Sequence, residues 1–382
     1  MNVALYTPSY PPDIGGNATS THRLVTGLRS RGIDVTVHRA GSGIPRSEHP
    51  NAAWDGQIVH VFHAYRSGAP LLPALRAIRP PLVVSMAGTD INHDLSNPGH
   101  GQVVRDVCEL ADALIVMHEG QREIVRRTMP HFVGKVHVIS PGVPRPIIDD
   151  TVVDRARALR TEWGVREDEI LFLLPAGMRE VKRPLFAIAP LEQLRREGLA
   201  VRLVVMGSVL DHTVAGTFDR AALGKPWVTR LPPVIPAEMT ACYAAADIVL
   251  NTSLSEGLSN VVIEAMAAGR ALLASDIQGN RACITDGSNG LLFADEAAFA
   301  AAARRLAGDP ALRRTLGERA RTDALEAFDP TKEVERHIEV YDMIQSESAN
   351  WRRRLRNRAG RRGDVSMSTQ QVRLTELASC GG

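Results

Sequence analysis

Lysine is nearly missing from this 382-residue sequence: Lys135, Lys182, Lys225 and Lys332 are the whole supply among 45 basic residues. Such scarcity makes the position of each lysine informative. Aromatic residues are few, at 4%, and Cys108, Cys242, Cys283 and Cys380 form no Cys-x-x-Cys pair. That spacing speaks against a zinc site and against a disulfide framework. No stretch approaches the roughly 18 consecutive apolar residues a membrane-spanning helix needs. The opening residues, MNVALYTPSY, lack the basic start and apolar core of a secretory signal, so a cytoplasmic location is expected. No Asp-x-Asp flanked by apolar residues stands near a strand end, so no divalent metal held against phosphate is implied. No Gly-x-Gly-x-x-Gly follows the first strand of either half, which disfavours a dinucleotide dehydrogenase.

Charge is unevenly spread. The formal net charge is +2, yet residues 351–382 hold eight arginines against Asp364 and Glu376, so the remainder is slightly acidic. Residues 347–382 are too polar to bury a core and are expected to be a disordered, basic tail. A weak anionic contact through its arginines is one reading and a merely solvated tail the plainer one. Without a basic stripe on the folded part, nucleic-acid binding is not expected.

What is present is an alternation. Short β-branched runs at 2–7, 33–38, 57–62, 81–86, 113–118 and 135–140 are separated by stretches of helical periodicity. Residues 141–165, with prolines and charge at their start, read as a linker. The alternation resumes at 169–177, 200–207, 227–232, 246–252, 270–276 and 290–294. Apolar strands alternating with helices imply an α/β chain with two Rossmann-like, doubly wound domains, each a parallel sheet covered on both faces. Ligands in such sheets bind at the carboxyl ends of the strands, so two such domains face each other across a cleft. The expected divisions are 1–145, 146–330, a closing helix at 331–346 packing back on the first domain, and the tail 347–382.

The chemistry concentrates in ADIVLNTSLSEGLSNVVIEAMAAG. Glu256 ends a strand, and Gly257, Leu258, Ser259 and Asn260 offer backbone amides at a helix start, where anions are favoured. Glu264 lies one to two turns further on among Ile263, Ala265 and Met266. A carboxylate accepts two hydroxyl protons at once, which suits a vicinal diol such as a ribose. One acid for a sugar ring, amides for phosphate and a second acid for ribose outline a nucleotide-sugar site. The plain alternative is an ordinary helix with an N-terminal acid and an exposed glutamate.

These residues, with the strand and the ITDGSNGLLF segment after them, resemble the donor domain of retaining GT-B glycosyltransferases of family 4. The specific part is residues 232–293, and the likeness extends weakly over 1–345. The two acids match that family's Glu-x7-Glu motif. The resemblance implies that Glu256 contacts the donor sugar, that Glu264 contacts the ribose, and that Gly15 and Gly16 form the loop approached by donor phosphate or acceptor. LPAGMREVKRP resembles the segment carrying an Arg/Lys pair, which puts Arg179 and Lys182 against the departing diphosphate. Gly177 stands where the family has its arginine, so Arg179 would act from a shifted position. In the first domain Ala87 stands where many members have a histidine; Asp90 and His118 are the acceptor-binding candidates, with His60 and His63 placed near the cleft by position alone.

The resemblance further implies transfer from a nucleoside diphosphate sugar, most often a UDP-sugar, to a small or lipid-linked acceptor of unknown identity. Configuration would be retained, by attack from the leaving-group face with a phosphate oxygen taking the acceptor proton. No metal and no cofactor beyond the nucleotide-sugar co-substrate are expected. A nucleotide-sugar epimerase or phosphorolytic enzyme on the same fold, and a non-catalytic binding or scaffold protein, are the alternatives.

Overall fold

All twelve β-branched runs form strands. In this computed structural model, which describes residues 1–40, 54 and 56–361 with side chains to 346, they build two six-stranded parallel sheets. The first holds β1 (Asn2–Thr7), β2 (Asp34–Arg39), β3 (Gln57–Phe62), β4 (Leu82–Ser85), β5 (Ala113–Val116) and β6 (Val136–Val138), in the order β2-β1-β3-β4-β5-β6. The second holds β7 (Ile170–Pro175), β8 (Val201–Met206), β9 (Val228–Leu231), β10 (Ile248–Asn251), β11 (Ala271–Ser275) and β12 (Leu291–Phe293), in the order β12-β11-β10-β7-β8-β9. Helices cover both faces of each sheet, which is why Leu171, Phe172, Leu173 and Leu174 are all buried in succession.

The order of each sheet reverses at its first strand: β2 and β3 flank β1, and β8 and β10 flank β7. Chains leaving neighbouring strands toward opposite faces open a crevice at the carboxyl ends, and ligand groups collect there. The loops after β7 and β10 are those that carry Lys182 and Glu256. Among the described residues no helix is long and apolar enough to cross a membrane.

The 141–165 segment is a linker only in its first part. Asp149 accepts from the Val152 amide at 3.0 Å and so caps a helix, Asp150–Glu162. Ala156, Leu159 and Trp163, spaced three and four apart, carry that helix into the second domain's core. Proline and charge mark the crossing correctly, but the helix begins inside the charged run.

The chain crosses between domains twice, side by side. The Val143 amide donates to the Phe328 carbonyl at 2.9 Å, and the Gly142 amide to Glu333 Oε2 at 2.8 Å. The closing helix then runs from Pro330 to Arg361, beyond the end near 346 set from the sequence; residues 362–382 lie outside the described residues. Val334, Val340, Tyr341 and Ile344 pack with Leu24 and Leu28 of the first domain. His60 is not in the cleft. Its Nδ1 pairs with the Tyr341 hydroxyl and its Nε2 with Ser85 Oγ, both at 2.7 Å, so it fastens this helix to β3 and β4.

Glu333 sits at the double crossing, only 8% exposed. Burial pushes its carboxyl up from 4.5 to about 7, with the Gly142 amide and the charge of Arg23 opposing in part. The folded protein therefore binds this proton more tightly than the unfolded chain does. The resulting stabilisation is complete below about pH 4.5 and is lost as pH rises through about 7, a change on the order of 3 kcal/mol. Denaturant unfolding at about pH 5 and pH 8 checks this: wild type should lose more stability across the interval than Glu333→Gln, which cannot ionise. Parallel losses would contradict it.

Candidate active site

A largely buried carboxylate needs a cation or several donors, and Glu256, its side chain 12% exposed, has both. Lys182 Nζ makes a short ion pair with Glu256 Oε1, and the same oxygen accepts from Ser253 Oγ at 2.6 Å and Asn251 Nδ2 at 3.3 Å. Burial raises the Glu256 carboxyl, but the charge of Lys182 and these donors outweigh it and hold the group below its ordinary range. Among the described residues no hydrogen bond reaches Oε2. The pair is set by ties between the β7 and β10 loops. Thr252 Oγ1 donates to the Lys182 carbonyl at 2.8 Å, and the Leu254 amide to the Val181 carbonyl at 2.8 Å. Asn251 is itself held by Ser259 Oγ at 3.0 Å and by Asn280 Nδ2 at 3.2 Å.

The pair opens into a cleft of about 960 Å³ between the domains. Gly15, Gly16, Arg179, Lys182, Glu256, Gly257, Leu258, Ser259, Asn260 and Glu264, all singled out from the sequence, line it. Arg179 stands beside Glu256 from its shifted position. Its Nε is buried without an acceptor, and burial lowers its guanidinium, with Glu256 opposing and Arg66 adding to the effect. Arg66, on the first domain's wall of the cleft, thus faces Arg179 as a like charge. The Asn260–Ala267 helix starts at Ser259 without a side-chain cap, since the Ser259 hydroxyl is spent on Asn251.

Glu264 is held from both domains. Oε1 accepts from Arg23 Nη2 at 2.7 Å, and Oε2 from the Tyr243 hydroxyl at 2.8 Å. Burial keeps Tyr243 protonated, its ionisation raised well above the ordinary value. Next along the helix, Asn260 Nδ2 donates to the Gly16 carbonyl at 3.0 Å and to Ser20 Oγ at 2.9 Å.

The backbones of the two domains come together at two glycines. A Cβ on Gly88, whose φ is +119°, would lie 2.8 Å from Gly257 Cα, and one on Gly257 would lie 2.7 Å from Gly88 Cα. His118 Nε2 donates to the Gly257 carbonyl at 2.8 Å, and Asn92 Nδ2 to the Glu256 carbonyl at 2.8 Å. His118 is therefore placed at the contact between domains, with Nε2 engaged by the protein itself. It docks the Glu256 loop, and burial lowers its imidazole despite that hydrogen bond.

Asp90 is not open to the cleft. It is wholly buried, with Oδ2 taking the Ala64 and Ala87 amides at 2.8 and 3.2 Å and Oδ1 the Gly88 and Ile91 amides at 2.9 and 3.1 Å. It shapes the turn that presents Gly88 to Gly257. His63 is buried too: Nδ1 accepts the Arg66 amide at 3.1 Å and Nε2 donates to Thr89 Oγ1 at 2.8 Å. Thr89 and Arg66 line the cleft in their place.

Arg23, Arg66 and Tyr243 were not singled out from the sequence. A signal existed for Arg23, because Gly16, Ser20 and Arg23 share one face of the Gly16–Ser30 helix by their four- and three-residue spacing. Nothing local marks Arg66 or Tyr243.

Two doubly wound domains facing across a cleft, with acids and cations from the second domain's switch point in its wall, define the GT-B class. Residues 169–309, which contain Arg179, Lys182, Glu256 and Glu264, match the family model described as Glycosyl transferases group 1. The chain is 26% identical over 311 residues to glycosyltransferase 1 domain-containing protein 1 of Xenopus tropicalis, covering 79% of this chain and 86% of that protein. It is 26% identical over 403 residues to alpha-maltose-1-phosphate synthase of Mycolicibacterium smegmatis, covering 91% and 100%. A crystal structure of Anabaena HepE in complex with UDP-glucose shares the fold, with a TM-score of 0.71 at 17% identity over 91% of this chain and 100% of that one. Over most of its length the chain is thus similar to glycosyltransferases, and the part that matches the group 1 family model carries the cleft's acids and cations.

The burial of Asp90 has a direct consequence. Asn at this position offers one acceptor oxygen, so two buried amides lose their partner at about 1–3 kcal/mol each. Asp90→Asn should therefore lower the stability measured by denaturant unfolding by several kcal/mol. A variant as stable as wild type, impaired only in acceptor KM, would restore Asp90 to acceptor binding.

Proposed function

We propose that this glycosyltransferase moves a sugar from a nucleoside diphosphate sugar, with UDP the expected nucleotide, to a small or lipid-linked acceptor with retention at the anomeric carbon. The observation that carries the reading is the Lys182–Glu256 pair beside an Arg179 whose buried Nε has no acceptor. A diphosphate is the kind of anion that two such cations and an uncapped helix start would receive. Glu256 Oε2, which takes no hydrogen bond from the described residues, would then take a hydroxyl of the donor sugar. The crystal structure of HepE with UDP-glucose supports a nucleotide sugar as the ligand class. Gly15 and Gly16 add support. A Cβ at Gly15 would meet nothing within 4 Å and at Gly16 only Asn260 Nδ2 at 3.6 Å, so packing within the protein demands neither glycine. Close approach of a bound group would.

In the reaction the bond from the anomeric carbon to the phosphate oxygen breaks and the bond to the acceptor atom forms on the same face. The acceptor's proton passes to a phosphate oxygen. Charge building on the diphosphate is met by Arg179 and Lys182, whose worth is greatest in the transition state. Metal independence is part of the proposal, since these cations occupy the phosphate end, and no cofactor is invoked beyond the nucleotide-sugar co-substrate.

A thermal-shift series with UDP-, GDP- and ADP-sugars identifies the donor, because a ligand of the folded state raises apparent stability by mass action. With that donor, Lys182→Ala should lower kcat by about 10²–10³ with a smaller change in donor KM. Wild-type turnover should survive a chelator. No shift with any nucleotide sugar, or activity abolished by chelation and restored by magnesium or manganese, would contradict the proposal.

A further inference from the structure

The reading of Glu264 as the ribose ligand, on which this inference rests, leaves open why its carboxylate is held by a residue of the other domain. Two helices from different domains lie with matched faces. Gly16, Ser20 and Arg23 on one meet Asn260 and Glu264 on the other, which are four residues apart and so on one face. The Arg23–Glu264 pair is largely shielded, with side-chain exposures of 20% and 14%. A carboxylate oxygen has two acceptor positions. Arg23 occupies one on Oε1 and Tyr243 one on Oε2, so each oxygen keeps a second position for a hydroxyl proton.

This is a carboxylate fixed in plane with one open site on each oxygen, a match for the two hydroxyls of a cis-diol. Arg23 also has a donor unspent. Its Nη1 is buried and has no hydrogen-bond partner among the described residues, a costly state unless an acceptor arrives. A ribose hydroxyl oxygen beside Glu264 is such an acceptor. Both side chains line the cleft.

We propose that Arg23, contributed by the first domain, positions Glu264 for the ribose diol and sets the preference for ribose over 2′-deoxyribose. Nucleotide recognition then belongs to both domains and is complete only when the cleft is closed as it is here.

Calorimetric titration of UDP and 2′-deoxy-UDP tests this with wild type, Arg23→Gln, Arg23→Lys and Tyr243→Phe. Wild type should bind UDP about tenfold or more tightly than 2′-deoxy-UDP. Arg23→Gln should shrink that ratio to about threefold or less, chiefly by weaker UDP binding. Tyr243→Phe should shrink it partly, and Arg23→Lys should fall between wild type and Arg23→Gln. If Arg23→Gln does not fold by thermal melting, the lysine variant carries the comparison, and its ratio should still narrow. An unchanged ratio in the folded Arg23 variants overturns the inference while leaving Glu264 as the ribose ligand. Tighter UDP binding in Arg23→Gln also overturns it, because the ion pair would then compete with ribose. Equal binding of the two nucleotides by wild type overturns the Glu264 reading and this inference with it.

Discussion

Glu256 is a carboxylate taken out of water, and most of the site can be understood as the means of keeping it ionised there. Lys182 supplies the charge, while Ser253 and Asn251 supply neutral donors to the same oxygen. Those partners come from the end of β10 and from the loops after β7 and β10, strands that are neighbours because the sheet order reverses at that point. The topology thus delivers the cation and the acid to one place without any long connection. Truncating one partner would leave the other buried and unpaired, which costs more than the pair is worth intact.

The same loop also fixes how the domains meet. Gly257 follows Glu256 directly and lies against Gly88, while His118 and Asn92 hold the carbonyls of Gly257 and Glu256. Asp90, buried under four amides, holds the turn on the opposing side. Glu256 and the contact between domains are therefore one mechanical unit. On the other flank the Arg23–Glu264 and Ser20–Asn260 contacts close the cleft beside the expected ribose position.

Much of the fold was legible because a parallel sheet leaves a strong trace. Strands buried on both faces read as unbroken apolar runs, and all twelve were placed: two to the residue, one shifted by a residue, and the others two or three residues too long where the run outlasts the pairing. Glu256, Glu264 and Lys182 were legible through spacing and through the family resemblance. The buried settings of Asp90 and His118 were not legible, because a polar side chain at a strand end looks the same in sequence whether it faces the cleft or is bonded to backbone. Arg23 escaped because its partner is 241 residues away; local periodicity gives its face but not what that face meets. The helix inside 141–165 was hidden by the prolines before it.

The central claim is that the cleft receives a diphosphate on Lys182 and Arg179 next to Glu256. Titrating wild type and Lys182→Ala with uridine, UMP and UDP measures that most directly. Affinity in wild type should climb from uridine to UDP by about tenfold or more, and the variant should lose most of that climb while binding uridine as wild type does. Equal affinity of wild type for uridine and UDP, or an undiminished climb in the variant, would contradict the account.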